Sequence, residues 1–532
     1  MQKNVTDMTD PGSKSRLLMI GLDAAEISLI DRWTRDGSLP YLKRLCERGA
    51  FARLDSTADW LVGSPWPTFY TGTLPSDHGL YHYLLWKPDI MTTTRPTPDW
   101  LPLDPFWRHL DKQDKRVIAI DMPLCYAPQA YEGVEISGWA THELLVPPDY
   151  YPPSIKDWIE QHHGTPQRDE EEYRLMTPQE LLAIRDQLIS MTSKVAELGC
   201  GLMQREAWDL MMIVFSATHR GGHKLWDLSG MAGEATQEQR AALESALRDI
   251  YSACDRAIGR LLETAGDDVT VFVYSLHGMG ENTCRSELLP EMLAVILADT
   301  EHRPPQSLTK RVADRLRAMV PLMLRNTIKA HLPMAVQDKL TTYWRTGGID
   351  WSTTPAFALV SDLQGYIRIN LRGREAEGIV ASAEDYERLC TRISEGLLSF
   401  VDADSGEPIV HDVVRSSEIY PQGKRRDDLP DLVVKWAHTP AAAHRAIRSD
   451  RYHVSLPWPT PGHHPSGRSG NHRPHGFLVA TGPGIAPGTI LEKAHILDLI
   501  PTVLDILGLA ATPVQKGRAL FSEKSGDLPK GE

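Results

Sequence analysis

Short apolar runs alternate with longer stretches of helical periodicity along this chain. Residues 17–22, Leu-Leu-Met-Ile-Gly-Leu, follow a polar tail and end in Asp23. A continuous run of this length predicts a strand buried on both faces of a parallel sheet. Residues 117–120, 210–215, 269–274, 432–434 and 477–480 repeat the pattern. Between them, residues 39–49 and 237–263 mix apolar and charged positions at helical spacing. Strands alternating with helices predict an α/β fold with a doubly wound, mostly parallel sheet. Ligands of such sheets lie at the carboxyl ends of the strands, which is where Asp23 falls.

Two stretches break the alternation. Pro147, Pro148, Pro152 and Pro153 open the first, which continues helical and charged to about Glu206. The second sets Lys310, Arg311, Arg315, Arg317, Arg325 and Lys329 among leucines and valines. Its basic residues read as the solvated face of an amphipathic helix, or as a patch that attracts an anionic substrate or a membrane surface. Residues 147–206 and 303–345 are therefore expected to form an inserted helical cap. The sheet core is expected in 16–146, 207–302 and 346–515, with flexible tails at 1–15 and 516–532.

Composition narrows the function. Of 532 residues, 42% are hydrophobic and 24% charged, an ordinary globular balance. The net charge of -13 argues against general nucleic-acid binding, which demands clustered Lys and Arg. It still allows a small anionic substrate held by local positive charge or by metal. The six cysteines form no CxxC pair and have no zinc-finger spacing, so they read as buried free thiols in a reducing compartment. Residues 1–15 lack the apolar core of a secretory signal, and no run is long enough to be a transmembrane segment. A cytoplasmic protein is expected.

Metal-assisted chemistry needs His, Asp or Glu gathered at one place, and four strand-end positions supply them. Asp23 is the first; alone it could equally cap a helix. His219 and His223 follow the 210–215 run four residues apart, which in a first helical turn puts both imidazoles on one face. His277 follows the 269–274 run and is trailed by Gly278 and Gly280. His472 stands in Gly470-Asn471-His472-Arg473, just before the 477–480 run. Taken singly each has a bland reading as a packed or exposed histidine. Several beside strand ends of one sheet point to a shared site.

These segments, in this order, resemble the type I phosphodiesterase/nucleotide pyrophosphatase branch of the alkaline phosphatase superfamily. Gly21-Leu22-Asp23 resembles the strand ending in the first metal aspartate. Residues 64–72, then Pro75 and His78-Gly79, resemble the nucleophile segment with its T-G-x-x-P-x-x-H-G signature. His219 to His223 falls on D-x-x-x-H, residues 275–280 on S-D-H-G-M-G, and residues 470–473 on G-x-H-R. The resemblance spans about Leu17 to Leu509. It implies an alkaline phosphatase-like fold and a hydrolase of phosphodiester or phosphomonoester bonds, with sulfate esters as a further substrate class.

Three departures matter. His219 stands for one metal aspartate, and Leu276 for another. The nucleophile has no unambiguous match: an ungapped count lands on Val62, with Ser64 two residues away and Thr68 as the fallback. The resemblance then implies a zinc site of His219, His223 and His472, whose three imidazoles leave one position open. Asp23 and His277 remain for a second, weaker ion or for orienting water. Zinc is the cation implied, with manganese and iron as other candidates. Ser64, Thr68 or a metal-activated water is the attacking group. The alternative reading is a degenerate or repurposed relative that binds an anionic ligand or carries out non-hydrolytic biosynthetic chemistry.

Overall fold

The computed structural model describes residues 16–97, 100, 104–125, 133–140, 148–166, 173–298, 349–510 and 515–521, with four isolated positions between 332 and 340. Nine strands make the main sheet: β1 (Arg16–Leu22), β2 (Ala50–Asp55), β3 (Val117–Ile120), β4 (Gly133–Ser137), β5 (Asp149–Tyr151), β6 (Leu210–Phe215), β7 (Val269–Ser275), β8 (His475–Thr481) and β9 (Ile490–His495). Their order is β9-β2-β8-β7-β1-β6-β3-β4-β5. The block β7-β1-β6-β3-β4 is parallel throughout. The strand β8 runs antiparallel between β7 and β2, and β5 antiparallel to β4 at the far edge.

The central strands read as unbroken apolar runs because both of their faces are covered. In β1, Leu18, Ile20 and Leu22 face one apolar cluster while Leu17 and Met19 face another. In β6, Met211, Ile213 and Phe215 alternate in the same way with Leu210, Met212 and Val214. Helices Pro178–Arg205 and Gln237–Ala265 cover the first face, contributing Leu181, Leu188, Ile250 and Ile258. Helices Pro65–Thr71 and Leu499–Ile506 cover the second with Trp66, Phe69, Ile500 and Val503.

Two expectations need correction. Pro178–Arg205 was expected in a cap, but it is part of the layer flanking the sheet. Its Leu181, Ile184, Leu188, Met191 and Val195 form a buried stripe at helical spacing, and only burial against the sheet removes that stripe from water. The strand β5, from the same stretch, hydrogen-bonds to the sheet edge. Residues 303–345 lie outside the described residues except for isolated positions.

Second, residues 346–515 do not all extend the core. Ala356–Ala358, Gly365–Ile369, Leu432–Trp436 and Val410–Arg415 form a separate four-stranded antiparallel sheet in that order. Helices Leu289–Ala298 and Ala383–Leu398 share its apolar cluster, with Ile296, Ile367, Leu397 and Val434 inside. The run at 432–434 is thus a strand, but of this smaller sheet. The lobe docks beside helix Pro65–Thr71: the Tyr366 hydroxyl accepts from the Val62 N–H at 3.2 Å. Arg368 and Glu375 pair at 2.7 Å with both side chains wholly buried, and the Trp86 indole donates to the same carboxylate. Among the described residues no helix is long and apolar enough to cross a membrane.

Candidate metal centre and active site

The site is built from four strand-to-loop transitions at one edge of the main sheet. The strand β1 ends at Leu22, and the next turn carries Asp23 followed by Ala24 at a φ of 52°. A left-handed alanine is uncommon and strained, and here it turns the chain sharply away just after the carboxylate. Helix Ala217–Leu225 starts directly after β6, and every one of its residues is buried. It sets His219 and His223 one turn apart on one face. The Thr218 hydroxyl donates to the Asp23 backbone carbonyl at 2.6 Å, fastening this helix to the end of β1.

His472 lies on a two-stranded ribbon, and His277 immediately precedes its other strand. Gly278–Glu281 pairs antiparallel with Gly470–Arg473, placing Met279 opposite His472. Gly470 has to be glycine for contact reasons: a Cβ there would lie 2.2 Å from the Gly222 carbonyl oxygen. The close approach lets the Gly470 carbonyl reach the His223 ring.

The structure brings all four sequence-predicted histidines together. Ring centroids of His219 and His472, of His277 and His472, and of His219 and His223 are each 4.7 Å apart; His223 and His472 are 4.8 Å apart. Ligating atoms of His219, His223 and His472 all lie within 4.8 Å of one another, and all three residues are buried. His277 adjoins this set, with its ring 6.3 Å from that of His219.

Hydrogen-bond directions in this cluster follow from chemistry. His219 Nδ1 is 2.7 Å from an Asp23 carboxylate oxygen, and His223 Nδ1 is 2.9 Å from the Gly470 carbonyl. An ionised carboxylate and a carbonyl only accept, so both Nδ1 atoms carry hydrogens, and in the neutral rings each Nε2 presents a lone pair. Yet the two Nε2 atoms face each other at 2.9 Å. Two lone pairs so close repel, so either a proton is shared between the rings or a cation lies between them. The Nδ1 atoms of His277 and His472 are also buried without a hydrogen-bond partner. Burial pushes His277 down to about 4, against the opposing pull of Asp23. Burial, then the neighbouring His219, His277 and His223, hold His472 well below the ordinary histidine range. Neutral rings with unused lone pairs fit a divalent metal, which binds imidazole only in its deprotonated form.

Asp23 acts on His277 through its charge, while its hydrogen bonds go to two other groups. One carboxylate oxygen takes His219 Nδ1–H, and the other takes the Trp66 indole N–H at 2.9 Å. One oxygen of the carboxylate thus backs the ring of His219.

Ser64 and Thr68, the nucleophile candidates, meet each other through Thr57. Ser64 Oγ lies 2.7 Å from Thr57 Oγ1 and 2.6 Å from the Leu61 carbonyl. Thr68 Oγ1 lies 3.4 Å from Thr57 Oγ1 and 3.1 Å from His78 Nε2. The Leu80 N–H donates to His78 Nδ1 at 3.0 Å, so His78 Nε2 carries the hydrogen and donates to Thr68. Both hydroxyls are wholly buried, and neither is hydrogen-bonded to Asp23 or to the clustered histidines. From this segment it is Trp66 that reaches the site. Sequence reasoning passed over it, although a tryptophan between two prolines inside the nucleophile motif was its signal.

The family model for type I phosphodiesterase/nucleotide pyrophosphatase matches residues 17–453. The chain belongs to this family. Its members are phosphoesterase hydrolases and metal-dependent. No curated protein matches the chain. Among solved structures, phosphonoacetate hydrolase from Sinorhizobium meliloti 1021 in complex with phosphonoformate is similar, at 13% identity and a TM-score of 0.48, over 94% of this chain and 96% of that one. Human ectonucleotide pyrophosphatase/phosphodiesterase 5 is similar at 11% identity and a TM-score of 0.47, over 94% and 97%. An inactive murine form of the latter, in complex with AMP, is similar at 12% identity and a TM-score of 0.47, over 94% and 97%.

Proposed function

We propose that this family member is a metal-dependent phosphodiester hydrolase that holds one ion tightly, zinc by preference, between His219, His223 and His472. The observation that carries the reading is the convergence of three buried histidines, their ligating atoms within 4.8 Å of one another, with the Nε2 atoms of His219 and His223 2.9 Å apart and their Nδ1 atoms turned to oxygens behind them. A bound zinc supplies a Lewis acid for an ester oxygen and makes water a strong nucleophile near neutral pH. Asp23 and the Gly470 carbonyl orient the rings of His219 and His223 through their Nδ1–H groups. His277, neutral and with a free Nδ1, orients the attacking water. Ser64 and Thr68 act as structural hydroxyls that fix the start of helix Pro65–Thr71, so water rather than a side chain attacks phosphorus. The bond to the leaving alcohol breaks as the bond to water oxygen forms, and the water's proton leaves with the alcohol.

The substrate is a small phosphodiester, with phosphomonoesters and sulfate esters as weaker alternatives. We also place the protein in a reducing, cytoplasmic setting, because none of the six cysteines is joined in a disulfide. The test uses purified full-length protein with aryl phosphodiester, phosphomonoester and sulfate ester substrates, as isolated, after chelation and after zinc return. Diester cleavage that disappears on chelation and returns with zinc supports the reading. Sulfate cleavage exceeding phosphate cleavage, or activity indifferent to chelation, contradicts it.

One observation favours a second reading. Leu276 is fully buried and packs in the apolar cluster of Trp66 and Tyr274, where it offers no ligand. On that reading the chain keeps a metal and an anionic ligand without turnover. Zinc in the isolated protein, with no hydrolysis of any of the three esters, is its signature.

A further inference from the structure

Trp66 is placed with unusual firmness. Pro65 and Pro67 flank it in the first turn of helix Pro65–Thr71, and each fixes the local backbone. The chain of bonds from His78 through Thr68 and Thr57 to Ser64 anchors the same turn from inside. The indole is 4% exposed and packs edge-on against Phe69 at 6.1 Å and Tyr274 at 6.2 Å. Its N–H is a donor only, and it points at an Asp23 oxygen 2.9 Å away.

We propose that Trp66 is a positioning residue for the metal centre, holding Asp23 as an outer carboxylate that fixes the tautomer and angle of His219. The inference rests on the three-histidine centre proposed above. Each Asp23 oxygen accepts from a fixed N–H donor, the indole on one and His219 Nδ1–H on the other. With the indole gone, the carboxylate can rotate away from His219 Nδ1. The ring is then free to place its hydrogen on Nε2, which removes the lone pair that faces His223. Outer partners of this kind change metal affinity by about 10–100-fold. The strand-end aspartate thus acts through His219 rather than as a ligand of a second ion, and an indole does at this position what a hydroxyl cannot: donate without competing for the metal.

The test is a double-mutant cycle on the full chain. Trp66→Phe, Asp23→Asn and the double variant are titrated with zinc against a competing chelator, and the downfield His219 Nδ1–H proton resonance is followed. Trp66→Phe is expected to weaken zinc binding by about 10–100-fold and to broaden that resonance while one ion is still held. Because Trp66 acts through Asp23, the double variant should bind no more weakly than Asp23→Asn alone. Wild-type affinity in Trp66→Phe, or losses that simply multiply, overturn the proposal. If Trp66→Phe does not fold, Asp23→Asn decides: a weakened single ion supports an outer carboxylate, and complete loss of the ion marks Asp23 as a ligand and overturns it. A wild-type protein that binds no zinc removes the three-histidine centre itself and this inference with it. One ion indifferent to Trp66 overturns the inference alone.

Discussion

His219 and His223 face each other through Nε2 atoms 2.9 Å apart, each ring turning its Nδ1 to a backbone or carboxylate oxygen behind it. His472, with a buried and unpaired Nδ1, closes the third side.

The division of labour among the histidines is separable by measurement. His472→Ala should lose the ion, because two imidazoles seldom hold zinc firmly. His277→Ala should keep the ion and lower kcat by about 100-fold, the range for a group that handles a proton or water in the transition state. Zinc content read beside kcat distinguishes the two. Retention of zinc in His472→Ala with loss in His277→Ala reverses the assignment.

Ser64→Ala tests the attacking group. With its hydroxyl bonded to Thr57 and the Leu61 carbonyl, Ser64 should matter for stability by about 1 kcal/mol. Diester cleavage should fall by less than about tenfold, or ~1.4 kcal/mol of barrier. Loss on the order of 10⁴-fold or more, as for a removed nucleophile, contradicts the water pathway.

His78 predicts how stability depends on pH. Burial, with Arg425 nearby, pushes it down to about 3 from an ordinary 6.5. The unfolded chain therefore binds a proton below about 6.5 that the folded chain refuses until about 3. Its contribution is fully present above 6.5 and is lost as pH falls through the window from 6.5 to about 3, on the order of a few kcal/mol in all. Thermal melts across that window should show a falling midpoint, and His78→Gln should flatten part of the slope. An unchanged slope in the variant rules out His78 as its source.

Much of this was legible in the sequence because burial on both faces leaves an unmistakable apolar run. The central strands β1, β3, β6, β7 and β8 and the long helix Gln237–Ala265 were found in that way. The edge strands β5 and β9, and β2 beside β9, were not: β2 and β9 carry exposed polar positions, and β5 is three residues long. Pro178–Arg205 was misplaced because its charged face drew attention away from its apolar stripe. The site's members were visible as strand-end histidines, but their roles were not. Which way an imidazole donates depends on the Gly470 carbonyl and the Asp23 carboxylate, contacts between residues up to 247 positions apart. Trp66 acts through such a contact as well, across 43 positions.

The most direct measurement is metal content: zinc, manganese and iron per chain in the wild-type protein and in His223→Ala, purified identically. The account predicts one tightly bound ion per wild-type chain, zinc foremost, and essentially none in the variant. Two tightly bound ions in the wild type, or full occupancy in His223→Ala, contradicts it.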